Sequence, residues 1–507
     1  MLNSAPSDVS AGSSSQELPQ QQQQQPRWFT PRRLLILFCA INMLNYVDRG
    51  VIASNGVNGA PGNYTCEVPE TCAHGTGIQG DFKLSYFQDG VLSSAFMVGL
   101  LVASPVFAEF SKTYNPFRLI GVGLSVWTVA TAGCGLSVDF WSITFFRMLV
   151  GVGEASFISL AAPYIDDNAP PDQRAAWLSI FYMCIPVGVA LGYVFGGLVG
   201  SLVNWRAAFL AEACLMLPFA IFGFISHPIN MKGNSKLHQS DHFEDKEKNG
   251  FVSLNSSLQD GRGVVADLKE LFQNKIFVVN VLGYIAFNFV LGAYSYWGPK
   301  AGAAVYHMSD ADILFGVVTI FCGIVGTVFG GVILDYVGST ITNTFKLLAV
   351  FTALGAIGCL SAFLSTSITF FILFLIVGEF FIFAVQGPVN YATLQCVPSN
   401  QRALSMAMST VMIHVFGDVP SSPLVGVLQD TIQNWRLSAL LLTSIYFIAS
   451  IIWASGLLLQ HTGVGKMLVE SSEGLLLTPT DSGKILVENS EGEAYSMHDS
   501  QQALLLP

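Results

Sequence analysis

"DGVLSSAFMVGLLVASPVFAEF", residues 89–110, is an apolar run with an acid at its start and another near its end. Its length suits a membrane-crossing helix, because about 20 residues rising 1.5 Å each span the hydrocarbon core. It lines up with "FGVVTIFCGIVGTVFGGVILDY" at 315–336, an offset of 226. Two more pairs keep nearly that spacing. "PDQRAAW" at 171–177 matches "SNQRALS" at 399–405 (offset 228), and "NWRAAFL" at 204–210 matches "NWRLSAL" at 434–440 (offset 230). A single short motif recurs by chance; three in order at one spacing mark a duplicated chain.

The rest of the sequence agrees with a membrane setting. The 507 residues are 52% hydrophobic and 11% charged, with mean hydropathy +0.53. A soluble domain carries about 25% charged residues, so this chain cannot keep a large surface in water. Its 48 glycines and 38 phenylalanines suit helices packed closely in lipid. Apolar runs fall near 34–53, 84–108, 117–137, 140–165, 174–201 and 207–227, then 276–298, 312–334, 345–365, 368–394, 402–428 and 437–460. They are too long and too evenly apolar for barrel strands, which alternate in and out. The expected fold is therefore all-α and integral to the membrane: 12 transmembrane helices in two pseudo-symmetric six-helix halves, the major facilitator architecture.

The domain boundaries expected are a polar, disordered N-tail over 1–30, a first half over 31–227 and a hydrophilic central loop over 228–274. A second half over 275–460 and a C-tail over 461–507 follow. A short helix is expected at "VVADLKELF" within the central loop, and the C-tail repeats itself as "KMLVESSEG" and "KILVENSEG". With the N-terminus cytosolic, inside segments hold 17 of the 23 lysines and arginines and outside loops hold four, Lys83, Arg206, Lys300 and Arg436. Positive charge concentrates on the cytosolic side, so both termini are expected there. The loop "NYTCEVPETC" then faces the lumen or exterior. It carries the glycosylation sequon at Asn63 and two cysteines, Cys66 and Cys72, that could form a disulfide in an oxidising compartment. The first 26 residues resemble neither a signal peptide nor an arginine-rich transit peptide.

Composition also excludes functions. Basic residues are too few for a nucleic-acid surface. "GVGEAS" at 151–156 contains a G-x-G, but it sits inside an apolar run with no preceding strand and no phosphate lysine. The sequence calls for no cofactor and no metal, and for a transporter rather than an enzyme, with no oligomer signal beyond a monomer.

Charges inside apolar runs are the candidates for chemistry, because burying them is costly. "NYVDRGV" at 45–51 holds Asp48 and Arg49, the fourth run holds Arg147 and Glu154, and the tenth holds Glu379. Arg147 and Glu154 are seven apart, two helical turns, and share a side of their helix. Asp48 and Arg49 are about 100° apart around theirs and need partners elsewhere. Helices one and four meeting, with Arg49 near Glu154 and Asp48 near Arg147, would satisfy all four and allow a proton-coupled switch. Gly151 and Gly153 would let another helix approach. At the cytosolic ends, Glu109 and Asp335 occupy matching positions after helices two and eight, with Arg174 and Arg402 as partners for a clasp between halves. The second half offers cavity candidates in Tyr294, Tyr296, Trp297, Glu379, His414 and Asp418. Aromatic stripes usually pack and a lone histidine is usually a satisfied core residue, so these could equally be structural.

"INMLNYVDRGVI" at 41–52, "RMLVGVGEASFISLAAPYIDD" at 147–167 and "PDQRA" at 171–175 resemble the spinster-type transporters of the major facilitator superfamily. "NPFRLIGVGLSVW" at 115–127 and the cysteine loop look like plant members. The likeness runs over about 30 to 460. It implies alternating-access movement of sphingolipids or lysophospholipids, linked to protons, at late endosomal, lysosomal or vacuolar membranes. Asp48, Arg49, Arg147 and Glu154 would be its coupling and gating cluster. The departure is at the clasp, where Phe110 follows Glu109 in place of an arginine. The competing readings are an organic-anion or sugar-phosphate carrier, a lipid-binding receptor that no longer transports, and a mitochondrial inner or plasma membrane location.

Overall fold

The computed structural model describes residues 30–60, 76–170, 174–225, 264–308, 311–398 and 401–473, with three short strands beyond. Asn63, Cys66, Cys72 and most of the central loop lie outside the described residues. Among the described residues, twelve helices are long and apolar enough to cross a membrane, as expected from the hydropathy pattern.

In the first half these are α1 (Pro31–Val57), α2 (Tyr86–Thr113), α3 (Pro116–Leu136), α4 (Phe140–Asn168), α5 (Arg174–Leu202) and α6 (Trp205–Ile225). The second half comprises α7 (Lys275–Tyr306), α8 (Ala311–Val337), α9 (Ile341–Leu364) and α10 (Ile368–Ala384, continued by Gln386–Gln395). It ends with α11 (Arg402–Ile413, a π turn at His414–Asp418, then Val419–Ile432) and α12 (Trp435–Glu473). Short helices Gly77–Asp81 and Val264–Gln273 precede α2 and α7, the latter where the central loop promised one. Beyond α12, β1 (Leu476–Pro479), β2 (Ile485–Glu488) and β3 (Ala494–Ser496) pair antiparallel. The two tail repeats thus differ in structure: the first ends α12 and the second supplies β2.

Local sequence starts the helices that carry the site. Thr30 accepts the Arg33 amide at 3.3 Å, and Pro31 opens α1 where its missing N–H costs nothing. Ser85 and Gln88 form a capping box on α2, as do Asp139 and Ser142 on α4. Hydrogen bonds from Ser142 hold the Asp139 carboxyl below its ordinary range, the charged state a helix N-terminus favours.

The duplication reappears as repeated packing. Within the first half α1 lies on α5, α2 on α4, and α3 on both α4 and α6; adding six to each number gives pairs found in the second half. The halves meet where α2 touches α11, α5 touches α8 and α1 touches α7. Glycines set the closest of these distances. A Cβ on Gly151 of α4 would come within 2.0 Å of the Phe96 carbonyl oxygen on α2, so the two backbones are in direct contact there.

Candidate functional site

A cavity of about 770 Å³ lies between the halves. Helices from both halves wall it, with apolar side chains such as Phe96, Met97, Phe315, Leu375, Ile382 and Phe383. Its charged lining residues are Arg49 and Arg147 from the first half and Glu379 and Asp418 from the second. It extends toward the ends of α5, α8 and α10 that charge counting assigns to the cytosol, where Tyr182 and Val328 line it and are exposed.

Arg147 Nη1 donates to both oxygens of Asp48, at 2.8 and 2.7 Å, and both residues are buried. Arg49 Nη2 donates to Glu154 Oε1 at 2.8 Å, with Glu154 fully buried and Arg49 one-fifth exposed to the cavity. Helices α1 and α4 therefore make two parallel pairs, which the seven-residue spacing on α4 permits. Phe96 of α2 lies beside both cations: its ring centroid is 4.7 Å from the Arg49 guanidinium and 5.4 Å from that of Arg147. Tyr46 covers Arg49 from its own helix at 4.4 Å. These faces stabilise a desolvated guanidinium by about 1–2 kcal/mol each.

A third carboxyl belongs to this cluster and was not singled out from the sequence. Glu212 on α6 is 1% exposed and interacts with both Asp48 and Arg147. It lies near the start of its apolar run, where a charge reads as loop-proximal. Two guanidinium groups thus face three carboxyls.

Other buried charges join the halves on the outer side. Tyr296 of α7 donates to Asp89 of α2 at 2.8 Å, and Lys300 Nζ lies 2.6 Å from Gln79 Oε1 and 3.5 Å from Asp89 Oδ2. Ser54 of α1 donates to Asp312 of α8 at 3.0 Å. Asp430 at the end of α11 accepts the amides of Tyr86 and Phe87, capping α2 from the opposite half. Lys300 corrects the sequence reading that placed it in an outside loop: α7 runs on to Tyr306 and buries it to 5% exposure. Together these contacts close the outer end of the cavity.

The four proposed clasp residues lie near helix ends: Glu109 and Asp335 late in α2 and α8, Arg174 and Arg402 at the starts of α5 and α11. Asp335 accepts from Ser339 and Arg402 donates to Gln395, each within its own half. Glu109 is exposed at the end of α2, and the Arg174 side chain lies outside the described ones. Among the cavity candidates, Tyr294, Tyr296, Glu379 and Asp418 line the cavity. Tyr294 also pairs with the Thr443 hydroxyl, and Glu379 accepts from Thr319 at 3.3 Å. Trp297 instead packs beneath the wall, 2% exposed and donating to the Ser422 carbonyl at 2.9 Å. His414 stands behind Asp418, with its Nδ1 at 2.6 Å from Oδ2. No group of three or more metal-ligating side chains occurs among the described residues.

Comparison with known proteins places this geometry. The Major Facilitator Superfamily model matches residues 75–419. The chain is 60% identical over 438 residues to the probable sphingolipid transporter spinster homolog 2 of Arabidopsis thaliana, covering 86% of this chain and 88% of that one. It is 54% identical to spinster homolog 1 of the same plant, over 88% and 92% of the two chains. Among solved structures, a bacterial homolog of the human lysosomal transporter spinster, inward-facing and occupied, superposes with a TM-score of 0.67. It is 17% identical and covers 84% of this chain and 97% of its own.

Proposed function

Because the chain belongs to the spinster-type transporters of the major facilitator superfamily, we propose that it carries a single-chain sphingolipid or lysophospholipid by alternating access, driven by protons. The observation that carries this reading is the cavity: an apolar-walled chamber with a few charged groups at mid-membrane. An amphiphile needs that combination, an apolar wall for its chain beside polar groups for its head. An organic-anion or sugar-phosphate carrier would want more cavity cations. Lys300 adds none, because it is spent on closing the outer end.

The charge cluster supports the coupling. With two arginines and three carboxyls, it is electrically neutral when one carboxyl holds a proton. Without that proton one buried negative charge goes unmatched, at a cost of several kcal/mol. Release of the proton therefore favours an arrangement that rehydrates or re-pairs a carboxyl, and rehydration requires the helices of the first half to shift against the second. Asp48, Arg49, Arg147, Glu154 and Glu212 are the residues assigned to this step. Glu109, Asp335, Arg174 and Arg402 are assigned to the cytosolic clasp of the opposite state, in which the halves meet below the cavity. The sequon-bearing loop suits a lumen, so the late endosomal, lysosomal or vacuolar membrane is the proposed location.

Proteoliposomes containing the full chain test this reading. Labelled lysophospholipids and a phosphorylated sphingoid base should cross faster than in protein-free vesicles, and a pH gradient should change the rate. Absence of flux for every lipid, with and without the gradient, would overturn it.

A further inference from the structure

The second half presents two carboxylates to the cavity, and neither is paired with a lysine or arginine among the described residues. In the first half every cavity arginine already has its carboxylate. The asymmetry leaves two carboxyls on one wall with no lysine or arginine opposite them, in an apolar chamber where an unmatched charge is costly.

Of the two, Asp418 is the one held in a fixed pose. It ends the π turn His414–Asp418 in α11, and such turns, which put an extra residue into the helical repeat, concentrate at functional sites. His414, one turn earlier, shares a 2.6 Å hydrogen bond between its Nδ1 and Oδ2 and fixes the rotation of the carboxyl. The other oxygen, Oδ1, lies against Gly292 of α7, where a Cβ would come within 2.8 Å of it. Gly292 also lines the cavity, so its missing side chain leaves Oδ1 room there. Ser421 donates to the Asp418 carbonyl at 2.8 Å, and Ser94 of α2 donates to that of Val419 at 2.6 Å, anchoring the turn on both sides. Glu379 has a longer side chain and one 3.3 Å hydrogen bond from Thr319.

We infer that Asp418, positioned by His414 and Gly292, is the binding site for a cationic amino group on the cargo. The inference rests on the amphiphile reading above and sharpens it. The preferred cargo carries a free ammonium as well as its anionic group, so that the anion faces Arg49 and the ammonium faces Asp418. A charge-assisted hydrogen bond in such a place corresponds to a preference of about ten-fold or more.

The test uses the purified full chain and two phosphate amphiphiles of equal chain length, a phosphorylated sphingoid base with its free amine and a lysophosphatidic acid without one. The wild type should bind the amine-bearing lipid about ten-fold more tightly. Asp418→Asn should bring the two affinities together by weakening the amine-bearing lipid alone, Asp418→Glu should restore part of the difference, and Glu379→Gln should leave it in place. N-acetylation of the sphingoid amine should cost the wild type the same factor, a check that needs no variant. Equal wild-type affinities, or a preference that survives both Asp418→Asn and N-acetylation, would overturn the inference. Flux of both lipids at equal affinity would sink the ammonium site and leave the lipid-carrier reading standing; binding and flux of neither would sink both.

Discussion

Arg147 has two acidic neighbours, and that decides how the site responds to substitution. Asp48 holds its Nη1 with two short hydrogen bonds, while Glu212 lies beside the pair and interacts with both members. Asp48→Asn therefore leaves charges that still balance, two arginines against two carboxyls. The variant should fold with a melting temperature close to the wild type in detergent, yet lose proton-driven flux. Adding Glu212→Gln strands the arginine, and removing the last partner of a buried charge costs about 3–5 kcal/mol. A sharp fall in melting temperature should appear in the double variant only; equal stability of the single and double variants would refute the assignment of Glu212. The members of the cluster differ in how visible they were. Asp48, Arg49, Arg147 and Glu154 interrupt long apolar runs, so their cost was evident from the sequence. Glu212, Asp89, Lys300 and Asp312 lie within about two turns of a helix end, where hydropathy cannot separate a side chain facing water from one facing the bundle.

At the scale of a helix, contact distance is controlled by single residues. Gly151 meets backbone on α2, whereas a Cβ on Gly331 of α8 would find nothing within 4 Å. Gly151→Ala should lower the melting temperature, with overpacking of about 1–3 kcal/mol or more, and should displace Arg147 and Glu154 on the same helix, reducing flux. Gly331→Ala should change neither. Equal effects of the two substitutions would contradict the packing described. Helix number and position were legible because lipid forces each span into about 20 apolar residues. The ends were less so: α7 was expected to stop near 298 and runs to Tyr306, carrying Lys300 inward because Asp89 and Gln79 offer it partners. The π turn in α11 contains Gly417 and is followed by Pro420, whose missing N–H interrupts the helical ladder, a signal that hydropathy alone does not carry.

Among the described residues, Ser54, Tyr86, Tyr296 and Lys300 bond across the halves on the outer side, while Asp335 and Arg402 bond within their own half. The outer network should therefore set the balance between conformations. Lys300→Met removes the cation that Asp89 and Gln79 share, and should let the outer face open. Spin labels at Val203 and Thr431, exposed positions on opposite halves, should then report a new population at longer distance; an unchanged distribution would show that the network does not hold the halves closed. The duplication made the two halves readable in advance, but not which face was shut, because that depends on contacts between segments hundreds of residues apart. Proton-driven lipid movement by the charge cluster is the central claim, and one flux measurement meets it most directly. Proteoliposomes bearing either wild type or Glu154→Gln are loaded with a labelled phosphorylated sphingoid base and compared with and without a pH gradient. Gradient-dependent flux in the wild type that vanishes in Glu154→Gln, with the variant still folded, is the predicted result. Identical gradient dependence in the two proteins would contradict it.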